Sequence, residues 1–300
     1  MHSPQRLGRS LKFRTIRLIN RLRSRMSKKN ENNQVSKYDR FVDAVVANCG
    51  RIAGKAVLEI GSDSDGRMLR LLTEKFDAAR AIGVNPILSQ RHDEDRWSLR
   101  PDDARDMDLD DDSIDMVMSI SVLEHVRDLP EVLTEIYRVL KPGGYLFTEF
   151  GPIWSSAWGH HLWITHQGRV CNWRTHPLPA YAHLLMSEPE LNRWCADQFD
   201  DASLADAICE FVYRSPEQNR LFYDDYQTIF QDSAFELVCM TGMADFPLPP
   251  AYADGNAHKI YQRLKVAHPD HSGFGYHVVS ACLYKPPVGK THAAKSPHQN

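Results

Sequence analysis

The feature that most constrains this 300-residue chain is a short apolar run, Ala56-Val57-Leu58-Glu59-Ile60, which breaks at Gly61 and crosses a polar turn to Gly66. Met68, Leu69, Leu71 and Leu72 then resume the apolar pattern at helical spacing. An apolar run bounded by turn chemistry reads as a strand buried on both faces, and the period that follows reads as a helix packed back on it. The unit repeats. Ala81-Ile82-Gly83-Val84 ends at Asn85-Pro86, and Ile114 to Ile120 follows the acidic run Asp110-Asp111-Asp112. Leu129 to Leu140 is amphipathic and stops at Lys141-Pro142-Gly143-Gly144, ahead of a strand from Tyr145 to Phe150. Strands alternating with helices specify a doubly wound parallel sheet of the α/β class. Ahead of them, Ser36 is placed to cap a helix that runs to about Cys49 and ends at Gly50.

Beyond Phe150 the alternation breaks. Residues 151–234 hold Trp154, Trp158, Trp163 and Trp173 together with His160, His161, His166, His176 and His183. Helices are predicted there over Leu204 to Tyr213 and over Leu221 to Phe230. Strands from Phe235 to Gly242 and from Tyr276 to Tyr284 complete the sheet, with the Pro-rich Phe246 to Pro250 segment and a helix near Lys259 to Val266 between them. The expected organisation is a basic leader (1–33), a core from 34–150 and 235–286, a mainly helical insertion (151–234) that holds an acceptor or closes over it, and a disordered tail (287–300).

The net charge of −3 gives the body of the protein no electrostatic signature of nucleic-acid binding. Six scattered cysteines without C-x-x-C spacing fit a reducing compartment and no metal site. No run approaches the roughly 18–20 apolar residues that span a bilayer, and no apolar segment of a secretory signal follows the N-terminal charges. The expected location is cytoplasmic. Residues 1 to 30 hold ten Lys or Arg and no Asp or Glu. Leu11, Leu18, Ile19, Leu22 and Met26 share one helical face there, which makes a peripheral contact with an anionic membrane one reading. A solvated leader is the second and an organellar transit peptide the third.

Three motifs in order carry a resemblance. They are V-L-E-I-G-S-D-S-D-G-R-M-L at Val57 to Leu69, A-I-G-V-N-P at Ala81 to Pro86, and D-A-R-D-M-D-L-D-D-D-S-I-D-M-V-M-S at Asp103 to Ser119; V-L-E-H-V at Val122 to Val126 and E-I-Y-R-V-L-K-P-G-G at Glu135 to Gly144 follow. Together they resemble the class I S-adenosylmethionine-dependent methyltransferases. That resemblance implies a Rossmann-like, seven-stranded doubly wound sheet and S-adenosyl-L-methionine as cofactor. It further implies that Gly61 and Gly66 frame the turn around the methionine part, that Glu59 places its amino group, and that Asn85 stands where an Asp or Glu usually accepts the ribose hydroxyls. Asp103 matches the acceptor of the adenine amino group, Ala104 lies beside the ring, and Ser119 lines the end of the fourth strand. Two departures stand out: Asn85 lacks the charge of the usual acid, and the loop is one residue longer than G-x-G-x-G, with Asp63 near the middle glycine.

Methyl transfer from a sulfonium is an in-line displacement, so much of the catalysis is alignment, and a base is needed only where the nucleophile carries a proton. His125, after the fourth strand, and His160 and His161, in W-G-H-H-L-W, compete for that role. The same tryptophans read either as a pocket for a sugar ring or as the insertion's own core. His160, His161 and His166 match no standard metal spacing. The segment G-P-I-W-S-S-A-W-G-H-H-L is similar to methyltransferases of bacterial surface-polysaccharide or secondary-metabolite pathways, which implies O-methylation of a sugar, glycan or related polar metabolite. N-methylation of a small amine or peptide and a non-catalytic scaffold are the competing readings.

Overall fold

The computed structural model describes residues 31–244 and 257–287. The expectations for residues 1–30, for the Phe246 to Pro250 segment and for the tail from 288 onward fall outside the described residues. The first helix, α1, starts earlier than Ser36, at Glu31–Cys49. Gly50 ends it in the left-handed region (φ 83), its N–H on the Val46 carbonyl at 3.0 Å.

Strands β1 (Ala56–Ile60), β2 (Arg80–Val84), β4 (Trp97–Arg100), β5 (Ile114–Ile120) and β6 (Leu140–Phe150) run parallel, with α2 (Arg67–Glu74) and α3 (Leu129–Val139) as crossovers. Strands β9 (Glu236–Met243) and β10 (Val278–Tyr284) finish the sheet, β10 antiparallel to both its neighbours. The two-residue β3 (His92–Asp93) folds back on β4, so the order is β3-β4-β2-β1-β5-β6-β10-β9. The sheet thus has eight strands and not the expected seven, the addition being this short edge arm. The chain leaves β1 toward β2 on one side and returns to β5 on the other. That reversal opens a crevice at the carboxyl ends of β1 and β5, where ligands bind in open α/β sheets.

Alternation along the strands builds the two layers. Leu58 and Ile60 face a core with Val132, Leu133 and Ile136 of α3, while Val57 faces Phe41, Val42 and Val45 of α1 and Leu69 and Leu72 of α2. Each such side chain taken out of water contributes about 1.5–3 kcal/mol. The Lys141-Pro142-Gly143-Gly144 stop lies inside β6 as an irregularity: the register against β5 jumps there from Leu140 to Tyr145. Gly143, at φ 86, donates its N–H to the Lys285 carbonyl at 2.7 Å.

Between β6 and β9 stand a hairpin, β7 (Trp163–His166) and β8 (Arg169–Asn172), and helices α4 (Ala182–Leu185), α5 (Glu188–Phe199), α6 (Ala202–Arg214) and α7 (Tyr223–Asp232). Leu191, Cys195, Leu204, Ile208 and Val212 form a core of their own between α5 and α6. The segment after α7 returns through β9 and α8 (Ala257–Ala267). Tyr226 and Phe230 of α7 pack instead into the sheet's core.

Candidate active site

The turn after β1 is held tightly. Gly61 (φ 82) donates to the Val84 carbonyl at 2.8 Å, and a Cβ on it would lie 2.2 Å from a Val122 methyl carbon. Gly66 (φ 63) faces the Trp97 ring, which a Cβ would approach to 2.7 Å. Both positions therefore require glycine. Asp63, in the middle glycine's place, is held at both carboxylate oxygens. One carboxylate oxygen accepts the Arg67 N–H at the start of α2 (3.2 Å), and the other accepts the Tyr38 hydroxyl of α1 (3.1 Å). Burial, with Asp65 beside it, pushes its carboxyl up to about 6. The longer loop thus substitutes a side-chain cap for a glycine and ties α1 to the site.

Glu59 is 4% exposed, and the hydroxyl of Ser62 donates to it at 2.5 Å. Burial pushes its carboxyl up to about 8 against the help of that hydrogen bond, and no basic group contributes. An acid so placed fits a ligand that brings its own cation, such as an α-ammonium. Asn85 points its amide N–H₂ at the Ser62 carbonyl (2.9 Å) and accepts the Ile87 N–H (3.2 Å), so it braces the loop and keeps a second lone pair toward the strand end. Asp103 is gripped at both oxygens by Arg105 (3.1 and 2.8 Å), which holds its carboxyl below the ordinary value. Its spare lone pairs face outward from a side chain 42% exposed. Ala104 packs on the sheet core, and Ser119, fully buried, donates to the Ile60 carbonyl at 3.3 Å, linking β5 to β1. This donor set, a buried acid, a glycine cradle, an amide and a carboxylate around one crevice, fits the amino-acid, ribose and adenine parts of S-adenosyl-L-methionine.

The three candidate histidines part company. His160 is 1% exposed; its Nδ1 accepts the Leu162 N–H (3.0 Å), and burial next to His183 holds it well below the ordinary value. It belongs to an aromatic cluster with Trp158 and His183, the latter pushed down to about 4 by burial. His125 lies at the end of a 3₁₀ turn (Leu123–His125) directly after β5, its side chain 33% exposed. Its Nδ1–H donates to the Glu217 carbonyl at 2.6 Å. A carbonyl can only accept, so in the neutral ring the lone pair sits on Nε2. His161 stacks edge-on against it, centroids 5.2 Å apart, with Nε2–H on the Pro152 carbonyl at 2.5 Å.

Sequence reasoning passed over Glu124. Its carboxylate is 3% exposed, with one oxygen accepting the Gly151 N–H (3.1 Å) and lying 3.9 Å from His125 Nε2, and the other without a partner. Burial raises its carboxyl, and His125 opposes that shift. The turn is stitched to the end of α6's following loop: Asn219 donates its side-chain N–H₂ to the Leu123 and Val126 carbonyls (2.7 and 3.0 Å) and its backbone N–H to Glu124 (3.0 Å). Away from this edge, a cleft of about 430 Å³ between α5 and α6 is lined by Glu188, Asp206, Glu210 and Arg214; its acids Glu188 and Glu210 are paired with Arg214. Among the described residues, no group of three or more His, Cys, Asp or Glu is arranged to hold a metal ion, and no helix is long and apolar enough to cross a membrane.

A strand-order reversal with a glycine turn and a buried acid at its carboxyl end is the place where open α/β domains bind their ligands. Residues 58–148 match the family described as a methyltransferase domain. A probable S-adenosylmethionine-dependent methyltransferase of Mycolicibacterium smegmatis is 33% identical over 98 residues, 31% of this chain and 37% of its own. The malonyl-[acyl-carrier protein] O-methyltransferase of Xylella fastidiosa is 28% identical over 106 residues, 33% of this chain and 36% of its own. The chain thus spans little more than a third of the length of these curated relatives. Among solved structures, the geranyl diphosphate C-methyltransferase of Streptomyces coelicolor overlays with a TM-score of 0.46 at 14% identity, over 84% of this chain and 79% of that one. Residues 58–148 are thus similar to a methyltransferase domain, and the strands around them have the α/β arrangement that the class I resemblance implies.

Proposed function

We propose that the protein methylates a hydroxyl group of a polar acceptor, a sugar or glycan being the class favoured, with His125 as general base. The observation that carries this reading is the Nδ1–H of His125 on the Glu217 carbonyl, which sets the lone pair of the neutral imidazole on Nε2 of a side chain 33% exposed. When bound, the cofactor supplies an electrophilic methyl group on a sulfonium. The protein's part is alignment and proton removal. His125 Nε2 takes the proton of the acceptor hydroxyl, and the Glu124 carboxylate, 3.9 Å away, stabilises the imidazolium that results. His161 and the 217–219 segment hold the ring in place and limit water. The cytoplasmic location and the membrane contact of the basic leader belong to the same reading, which places a lipid-linked glycan within reach.

The first test is calorimetric titration with S-adenosylmethionine and S-adenosylhomocysteine, using Asp103→Ala as control, followed by methyl transfer from labelled cofactor to a panel of monosaccharides and glycans. Uptake weakened by the control, with transfer lost in His125→Asn, supports the reading. Folded protein that takes up neither ligand sinks it.

A further inference from the structure

At the same crevice, α1 brings a cation over the carboxyl end of β5. Lys37 reaches across 84 residues of sequence to place its ammonium 3.1 Å from the Ser121 hydroxyl. Ser121 itself stands exposed in the left-handed region (φ 55), two residues beyond the last β1–β5 pair, Ile60 with Ser119. This contact is neutral. No ion pair involves Lys37 among the described residues, although Glu124 lies close enough to feel its charge. The next residue, Tyr38, is anchored on Asp63 of the glycine loop, so the backbone that carries Lys37 is fixed with respect to the site.

On the neighbouring strand β1 stands Glu59, a buried acid whose partner is a hydroxyl. The strands β1 and β5 are immediate neighbours, about 4.8 Å apart. A hydroxyl-bonded ammonium just beyond the carboxyl end of β5 and a hydroxyl-bonded carboxylate near the carboxyl end of β1 thus stand at neighbouring strands. Opposite charges placed this way are complementary to a zwitterion, carboxylate toward Lys37 and ammonium toward Glu59.

We infer that Lys37 binds the α-carboxylate of the cofactor's amino-acid end, which makes the start of α1 a specificity element for an intact amino acid. The inference rests on the cofactor reading above. Lys37 is exposed and remote from the cores, so Lys37→Met leaves the fold intact, as a thermal melt will verify.

The experiment is calorimetric titration of wild-type protein and Lys37→Met with S-adenosylmethionine and with its decarboxylated form, which keeps the sulfonium and the amine and lacks only the carboxylate. The wild type should prefer the intact cofactor, and Lys37→Met should lose about tenfold in affinity for it while binding the decarboxylated form unchanged. Lys37→Arg should restore most of the loss. Equal weakening for both ligands, or weakening for neither, overturns the inference. If the wild type takes up neither ligand, the cofactor reading falls and this one with it, whereas preserved wild-type uptake with no selectivity in the variant removes the role of Lys37 alone.

Discussion

At the scale of single residues, two side chains titrate or act in ways that can be measured directly. Glu59, held at about 8 in the fold against an ordinary 4.5, binds its proton more tightly folded than unfolded, so it favours the fold below pH 4.5 and that contribution is lost as pH rises toward 8. A bound ammonium reverses this preference. At pH 7, uptake of S-adenosylmethionine should therefore release about one proton, seen as a difference in binding heat between phosphate and Tris buffers, and Glu59→Gln should abolish the difference. Identical heats in both buffers for the wild type would show that Glu59 does not meet the cation. His125→Asn should lower turnover by roughly 100- to 10,000-fold with cofactor affinity unchanged. The glycine turn and the places of Asn85 and Asp103 after their strands were legible in the sequence because the motif spacing is local. Glu124 was not, because L-E-H-V alone reads as an ordinary solvated acid, and what buries it is the Gly151 backbone 27 residues later.

At the scale of elements, the turn between β1 and α2 is the most constrained. Gly61→Ala meets both a positive φ and the Val122 methyl groups, and should cost roughly 1–3 kcal/mol in a denaturant melt. Adding Val122→Ala should recover the steric part but not the backbone part, so the two changes together should be less than additive. Strict additivity would mean that the loop moves away from Val122. Most elements followed from period and breakers: β1, β2, β5, α2 and α3 lie within a residue or so of expectation. Strand β4 escaped because the alternation of Trp97-Ser98-Leu99-Arg100 lasts only four residues, and its partner β3 is two residues long. Helix α5 carried its own signal, a capping box of Ser187 and Glu190 with Pro189 in the first turn, at the end of a stretch rich in aromatic residues and histidines.

At the scale of the whole molecule, the sheet and the region after β6 have separate cores joined through α7 and the 217–219 segment. Ile208→Ala should remove about 2–5 kcal/mol from the second core. Cofactor uptake should survive this change while methyl transfer falls, and limited proteolysis should cut within 151–234 before the sheet is touched. Loss of cofactor binding in step with activity would show one cooperative unit instead. The hydrogen bond that orients His125 could not be read from the sequence, since it joins the ring to a carbonyl 92 positions away and carbonyls leave no mark on side-chain pattern.

That long-range hydrogen bond also sets an order in time. As the chain is synthesised from its amino end, the glycine turn, Asn85, Asp103 and the 3₁₀ turn are all made before Glu217 exists, so the nascent chain acquires the residues of the proposed cofactor site well before the imidazole of His125 has its partner. In the proposed function, proton removal by His125 thereby waits until the region after β6 has docked.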